Sequence, residues 1–234
     1  MTLRLATVLA RGGSKGVPGK NIRLIAGRPL IAHTVQQALD TGLFDAVAVS
    51  SDSAAILHAG DAAGATHLVR RPADMASDTA GKLPALRHCV HEIEAILGVT
   101  VTTVTDLQPT SPMRWPSDIA GAVAMQERLG VSNVVSGTPA KSSPYFNLVE
   151  QRADKTIGLS KPPAGRDITR RQDTPRCFDL NGAIYVWRRD ALMHGAGLWF
   201  ADTHLFEMPQ ERSLDIDTPL DFEVADYLMT RARS

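Results

Sequence analysis

The sequence predicts an α/β fold with a doubly wound, mostly parallel β-sheet. Strand-like and helix-like hydrophobic patterns alternate along most of the 234 residues, as this fold class requires. A glycine-rich, cationic segment follows the first strand-like run directly, and short polar segments follow several later ones. Because open α/β sheets bind ligands beyond the carboxyl ends of their strands, these segments predict one binding site at that edge.

Hydrophobic spacing and turn residues place the elements in chain order. The first strand is the apolar run at residues 3–10. The first helix follows, with Pro29 at its first position and Gly42 as its stop. Further strands are expected at residues 45–50, 66–69, 99–107, 131–136, 182–187 and 204–208, and further helices at 53–64, 82–97, 117–129 and 218–231.

Charge balance and cysteine usage limit the classes of protein. The 25 basic and 25 acidic residues cancel, which argues against a broad surface for nucleic acid or anionic membranes. No apolar stretch approaches the roughly 20 residues of a membrane span. Cys89 and Cys177 give neither a disulfide framework nor metal-ligand spacing. We therefore expect a cytoplasmic protein with no nucleic acid or membrane partner.

The whole chain, residues 1–234, is expected to form a single domain. Residues 139–181 interrupt the alternating pattern with a polar stretch that contains prolines and arginines. We interpret this stretch as an insertion into the domain.

The segment from Arg11 to Asn21 predicts a phosphate cradle. Its glycines let main-chain N–H groups approach an anion, and Arg11, Lys15 and Lys20 supply positive charge for a polyphosphate. The segment is not a Walker A loop, because Ser14 stands where the first glycine is required and Asn21 where the hydroxyl is required. The spacing of its glycines also fails the dinucleotide-binding fingerprint. The expected ligand is a nucleotide.

Asp215 and Asp217 are the candidate metal ligands. In an extended chain, residues two apart point to the same side, so both carboxylates can face one hard cation. Mg²⁺ fits this pair, because it takes few carboxylates and keeps waters or substrate phosphates as its other ligands. The plainer alternative is that Asp217 caps the last helix and Asp215 is solvated.

Other polar clusters give weaker indications. Ser77 precedes a helix, where a serine is often an ordinary cap. Arg70 and Arg71 suit a base or a phosphate, although paired arginines at a strand end are commonly solvated. His88 and His91 have helical spacing but no third metal ligand nearby.

Seven motifs stand in order along nearly the whole chain: ARGGSKGVPGKN at residues 10–21, SSD at 50–52, RRP at 70–72, ASDT at 76–79, LQPTSP at 107–112, NGAIY at 181–185 and SLDIDT at 213–218. Together they closely resemble the motifs of the acylneuraminate cytidylyltransferases, also called CMP-sialic acid synthetases. The resemblance implies a Rossmann-like enzyme that couples a nine-carbon 2-keto sugar acid to CMP. CTP and Mg²⁺ would be used and pyrophosphate released.

The matching positions acquire roles through this resemblance. Arg11, Lys20, Asp215 and Asp217 would be the catalytic groups, with Mg²⁺ held by the two aspartates. Further roles are implied for two larger sets: the nucleotide would be bound by Arg11, Gly13, Ser14, Lys20, Asn21, Arg70 and Ser77, and the sugar by Gln108, Thr110, Ser111, Arg171 and Tyr185.

The resemblance also implies a homodimer. In this family the insertion forms a dimerisation arm, which implies the same for residues 139–181. An aromatic pair that matches Trp199 and Phe200 reaches the partner subunit's sugar site. In a monomer we expect both of these rings to be exposed.

Asp179 departs from the family pattern, which commonly has an arginine at this position. A buried carboxylate beside an anionic substrate is costly unless it pairs with Arg171 or accepts hydrogen bonds from the substrate. We therefore expect a legionaminic or pseudaminic type of acid to be at least as good a substrate as N-acetylneuraminate.

Two alternatives stay open at this point. A transferase that uses 3-deoxy-manno-octulosonate or an aldose phosphate would share the fold and the loop. A non-enzymatic nucleotide-binding module would be expected to lose the charges of Arg11, Lys20, Asp215 and Asp217, which this chain keeps. No residue is assigned as a general base.

Overall fold

The computed structural model describes residues 3–13, 16–77, 81–162 and 170–231. Its strands are β1 (Arg4–Leu9), β2 (Leu24–Ile25), β3 (Arg28–Pro29), β4 (Ala46–Ser51), β5 (His67–Arg70), β6 (Thr103–Leu107), β7 (Asn133–Pro139), β8 (Val149–Gln151), β9 (Ile157–Leu159), β10 (Phe178–Arg188) and β11 (His204–Glu207). Its helices are α1 (Leu30–Asp40), α2 (Ala54–Ala62), α3 (Lys82–Leu97), α4 (Pro116–Leu129), α5 (Arg189–His194) and α6 (Pro219–Arg231).

A seven-stranded sheet in the order β11-β7-β10-β6-β1-β4-β5 forms the centre of the molecule. Its strands run in one direction except β10, which is antiparallel to both β6 and β7. Two hairpins, β2 with β3 and β8 with β9, lie outside this sheet. The predicted doubly wound, mostly parallel α/β sheet is confirmed.

Side-chain alternation along the strands produces an apolar core on each face of the sheet. Val8 of β1 packs in one cluster with Ile31 of α1 and Ile119 of α4. Leu5 of the same strand belongs to another cluster, with Leu86 of α3. Residues an odd number apart in a strand point to opposite faces, so one strand anchors helices on both sides.

The strand β6 begins at Thr103, four residues later than the sequence predicts. The preceding helix α3 ends with Gly98 in the left-handed region, at φ +68°. Val99 is 48% exposed, so the chain joins the sheet only after this turn. Apolar character alone therefore overestimated the length of the strand.

The strand β10 begins at Phe178, four residues earlier than predicted and inside the range 139–181. Its first residues pair with residues 137–139 of β7. The pairing is irregular between Leu180 and Tyr185, where Gly182 adopts φ +65°. This irregularity breaks the period-2 pattern, which is why the sequence showed only the second part of the strand.

The excursion between β7 and β10 carries the β8–β9 hairpin and a 3-10 turn at Arg171–Asp173. Residues 163–169 lie outside the described residues. Several apolar side chains of the excursion are exposed, namely Phe146, Leu148, Val149 and Ile157. The excursion therefore carries apolar surface of the kind that protein interfaces bury.

Among the described residues, no helix combines the length and the apolar character needed to cross a bilayer. Cys89 and Cys177 are free thiols, and burial raises the pKa of Cys89 to about 12. The Cys89 thiol therefore stays protonated at pH 7 and acts as a packing group.

Arg114 is buried in the loop that follows β6. Its guanidinium donates to the carbonyl oxygens of Gln108 (2.7 Å), Ser111 (3.0 Å) and Ala183 (3.1 Å) and to the hydroxyl of Thr34 (2.6 Å). Burial lowers the pKa of Arg114 to about 9, which leaves the group charged at pH 7. The loop is thereby held against both β10 and α1.

Replacing Arg114 with methionine should destabilise the protein strongly. The change removes the donor of four hydrogen bonds, three of them buried, and each buried acceptor left unpaired costs about 1–3 kcal/mol. We expect the free energy of unfolding to fall by about 3 kcal/mol or more, measured by urea denaturation. Arg128→Met, at an exposed position of α4, is the matched control and should change little. A loss below about 1 kcal/mol for Arg114→Met would contradict this role.

Candidate active site

The carboxyl ends of the adjacent parallel strands β5, β4, β1 and β6 lie at one edge of the sheet. The segments that follow β5, β1 and β6, together with the start of α3, line a cavity of about 270 Å³. Its polar wall is formed by Arg11, Arg71, Ser77, Lys82 and Gln108. The strand-end segments therefore meet around one space, as the fold class predicts.

Hydrogen bonds fix the glycine-rich segment over the end of β1. The Gly12 N–H donates to the Asp52 carboxylate (2.9 Å), and the Asn21 side-chain amide donates to the Arg11 carbonyl (3.1 Å). Asn21 is only 5% exposed, so its side chain closes the loop, whereas the sequence predicted a contact with the nucleotide. A Cβ on Gly13 would meet open space. Ser14, another predicted ligand of the nucleotide, lies outside the described residues.

Lys20 joins this segment to the acidic segment near the end of the chain. Its ammonium donates to the Ile216 carbonyl (2.5 Å) and lies 3.8 Å from an Asp217 oxygen. A Cβ on Gly16 would overlap the Asp217 carbonyl, so only glycine allows this close backbone approach. The two motifs that the sequence singled out are therefore in direct contact.

Asp215 has the properties of an incomplete metal ligand. The Thr110 hydroxyl bonds to its carboxyl group, and burial raises its pKa, with Asp217 adding to the rise and Lys20 opposing it. Its Oδ1 is buried and has no hydrogen-bond partner among the described residues. An unbonded carboxylate oxygen beside a second carboxylate suits a hard divalent cation. Ile216, between the two aspartates, is buried in the apolar cluster that includes Val17.

The cap of α6 is formed by residues other than Asp217. The Asp221 carboxylate accepts hydrogen bonds from the Thr218 N–H (2.7 Å) and the Thr218 hydroxyl (2.7 Å), and the Thr218 hydroxyl accepts from the Asp221 N–H (3.2 Å). This is a reciprocal capping arrangement. The side chain of Asp217 is 76% exposed and is not needed as a cap. The geometry thus argues against the capping alternative, and the metal role of Asp217 stays a prediction.

Arg71, and not the predicted Arg70, faces the cavity. Val69 and Arg71 are buried, whereas Arg70 between them is exposed, as alternation along a strand requires. Arg71 donates to the Ser50 carbonyl (2.8 Å), and burial lowers its pKa. Ser77, by contrast, lines the cavity, and its contact with the nucleotide stays a prediction.

Gln108 and Tyr185, which were both expected to bind the sugar, lie in contact with each other. The two side chains share a hydrogen bond, and burial raises the pKa of Tyr185. The Lys82 ammonium lies 4.4 Å from the centroid of the Tyr185 ring. Thr110, through its contact with Asp215, lies nearer the acidic segment than the sequence suggested.

Ser111 is not available to a sugar. Its side chain is completely buried, and its hydroxyl donates to the Asn181 carbonyl (3.1 Å). The Asn181 side chain accepts from Ser136 (2.6 Å) and donates to Ser213 (2.9 Å). The Asn-Gly motif therefore links β10, β7 and the acidic segment, and Ser111 belongs to this internal network.

The predicted residues of the excursion are placed differently from the sequence expectation. Arg171 donates to the Ala140 carbonyl. Asp179 is exposed and accepts a hydrogen bond from the Lys141 N–H (3.2 Å). The premise that Asp179 is buried is therefore wrong, because β10 extends to Phe178 and turns this side chain to the surface.

The expectation of two exposed aromatic rings holds for only one of them. Trp199 is 68% exposed. Phe200 instead packs edge-to-face on Trp187, with ring centroids 6.0 Å apart. It belongs to the apolar core that α3 covers.

Sequence reasoning missed a buried ion pair beside the cavity. Lys82, the first residue of α3, pairs with Asp106 of β6, which is 1% exposed. The available indication was a single carboxylate inside a strand run of valine, threonine and leucine, since an aspartate is rarely buried without a partner.

Comparison with known proteins agrees with this geometry. A family model described as cytidylyltransferase matches residues 5–194. The chain is 36% identical to CMP-N,N'-diacetyllegionaminic acid synthase of Campylobacter jejuni, over 97% of this chain and 94% of that one. It is 34% identical to the protein of the same name from Legionella pneumophila, over 96% and 95%. N-acylneuraminate cytidylyltransferase of Streptococcus agalactiae is 30% identical, over 93% of this chain and 51% of that one.

A solved structure supports the same fold. CMP:2-keto-3-deoxy-manno-octonic acid synthetase, determined in complex with CTP, superposes with a TM-score of 0.71. The match covers 99% of this chain and all of that one. Because the sequences are only 20% identical, the match supports the fold alone. The family model and the full-length relatives together show that the chain belongs to the cytidylyltransferase family, as its motifs predict.

Proposed function

We propose that this protein transfers CMP from CTP to a nine-carbon 2-keto sugar acid and releases pyrophosphate. The contact of Lys20 with Ile216 and Asp217 carries the proposal. It brings the glycine-rich cationic segment, whose Arg11 lines the cavity, beside two carboxylates. This arrangement supplies what a polyphosphate and its divalent cation require.

The chain's residues act mainly by positioning and by charge. The anomeric hydroxyl attacks the α-phosphorus in line, so the two anionic substrates must be held together and the charge on the leaving pyrophosphate must be offset. Arg11 lines the cavity and Lys20 reaches the acidic segment, where they hold the triphosphate. Asp215 and Asp217 would hold Mg²⁺, which supplies charge stabilisation at the phosphates.

The names of the relatives point to a particular group of sugars. Two relatives at 34–36% identity are named for N,N'-diacetyllegionaminic acid, and they match this chain along nearly its full length. We extend that substrate class to this chain and expect a diacylated nonulosonic acid to be preferred over N-acetylneuraminate. Since Asp179 lies at the surface, the preference is not assigned to it. A cytoplasmic location stays a prediction.

A panel of sugar acids tests the proposed activity. Purified protein with CTP and Mg²⁺ should release pyrophosphate with N,N'-diacetyllegionaminate, with lower kcat/KM for N-acetylneuraminate. A preference of about tenfold is the scale that a few pocket contacts provide. Lys20→Ala is the inactive control, and 3-deoxy-manno-octulosonate represents the alternative substrate class. Turnover with that eight-carbon acid alone would contradict the proposal.

Asp217→Asn separates the metal role from a structural one. We expect turnover to fall by about a hundredfold or more, because a charge that stabilises the transition state is lost. The melting temperature should stay nearly constant, since Asp217 does not cap α6.

Asp221→Asn is the matched control for this variant. It weakens the cap and should lower stability by about 1 kcal/mol while activity is retained. Equal Mg²⁺ dependence in Asp217→Asn and the wild type would count against the metal assignment. Kinetics at graded Mg²⁺ and thermal unfolding of both variants provide the measurements.

A homodimer is the proposed assembly. Exposed Trp199 and the exposed apolar residues of the excursion support it. Light scattering should give twice the 25.2 kDa chain mass. Trp199→Ala should raise the KM for the sugar, whereas Trp115→Ala, at another exposed tryptophan, should not. A fully active monomer at micromolar concentration would exclude this assembly.

A further inference from the structure

Lys82 and Asp106 form an ion pair at the edge of the cavity. Asp106 lies in β6, is 1% exposed, and has a Lys82 ammonium on one oxygen. Its other oxygen is within 3.4 Å of the Thr7 hydroxyl of the neighbouring strand β1. The carboxylate is therefore fixed by the sheet, and Lys82 is the flexible member of the pair.

The Lys82 side chain lines two neighbouring cavities. It lines the larger cavity together with Arg11, Ser77 and Gln108. It also lines a smaller cavity of about 160 Å³ together with Asp106, Tyr185 and Trp187. The side chain is 41% exposed, so the ammonium can accept a further ligand while it stays paired with Asp106.

A buried carboxylate next to a site for anions requires a counterion. Without Lys82, the Asp106 carboxylate would repel a sugar acid that enters beside Tyr185. It would also be a buried charge without a counterion, in an environment that excludes water. With Lys82 present, the Asp106 carboxylate holds the Lys82 ammonium beside the Tyr185 ring, and the ammonium lies 4.4 Å from the ring centroid. Lys82 also begins α3, so the positive end of the helix adds to the field at this point.

We propose that Lys82 determines specificity by binding the carboxylate of the sugar acid, and that Asp106 is the positioning residue that holds the ammonium beside Tyr185. The proposal rests on the proposed function and adds a residue to it. An ammonium has three donors, so one can bond to Asp106 while another bonds to the substrate. The carboxylate of a 2-keto acid is attached to its anomeric carbon, so this contact would also orient the attacking hydroxyl.

The test compares a sugar acid with its methyl ester, which keeps the sugar skeleton but carries no charge on the carboxyl group. The double variant Lys82→Met, Asp106→Asn removes the ammonium and leaves no unpaired buried charge. Lys82→Arg keeps the positive charge. For each protein we would measure kcat/KM for the best acid of the panel, the inhibition constant of its methyl ester, and the KM for CTP.

The double variant should raise the KM for the acid by about tenfold or more, the value of one charge-assisted hydrogen bond. The inhibition constant of the ester and the KM for CTP should stay within about twofold of the wild type. Lys82→Arg should recover part of the affinity for the acid. Asp106→Asn alone should weaken acid binding less than the double variant does.

Equal weakening of acid and ester would show that the pair only supports the fold, and would overturn the proposal. A raised KM for CTP with unchanged acid binding would assign Lys82 to the nucleotide and would overturn it equally. If the wild type turned over no acid of the panel, the proposed function itself would fail. That result differs from a failure of the Lys82 proposal, because it is seen with the wild type before any variant is measured.

Discussion

The geometry of the site depends on the buried guanidinium of Arg114. It bonds to carbonyls of Gln108, Ser111 and Ala183 and to the Thr34 hydroxyl, and so joins the loop after β6 to β10 and α1. Two of these carbonyls lie in the loop after β6, and the third lies in the irregular stretch of β10. Arg114 is not among the residues that line the cavity with Gln108, yet it fixes the loop that carries Gln108 and Thr110, two residues proposed to bind the sugar.

The antiparallel strand β10 provides a second constraint. The left-handed backbone at Gly182 displaces the strand pairing, and Asn181 uses its side chain to bond to Ser136 and Ser213. One asparagine thereby connects β7 with the segment that carries the acidic pair. Tyr185 follows after the irregular stretch and reaches Gln108 across the cavity edge.

The carboxylates of Asp215 and Asp106 lie in different environments and are therefore suited to different partners. Asp215 keeps a buried oxygen without a hydrogen-bond partner in the described part of the chain and has a raised pKa, which leaves it suited to a cation from outside. Asp106 is buried more deeply but has Lys82 as its counterion. Burial of the charged form costs free energy for both carboxylates. The Lys82 ammonium offsets this cost for Asp106, and we propose that Mg²⁺ offsets it for Asp215.

The sequence by itself determined the alternation of elements, the limits of α3, the glycine-rich segment and the acidic pair, because these depend on local spacing and residue chemistry. Tertiary structure alone decided that Arg71 and not Arg70 faces the cavity, that Ser111 is internal, and that Asp106 pairs with Lys82. Those outcomes depend on strand register and on neighbours far along the chain. A local sequence pattern contains no information on register or on distant neighbours. It shows which residues alternate, but not which face of the sheet a distant part of the chain will cover.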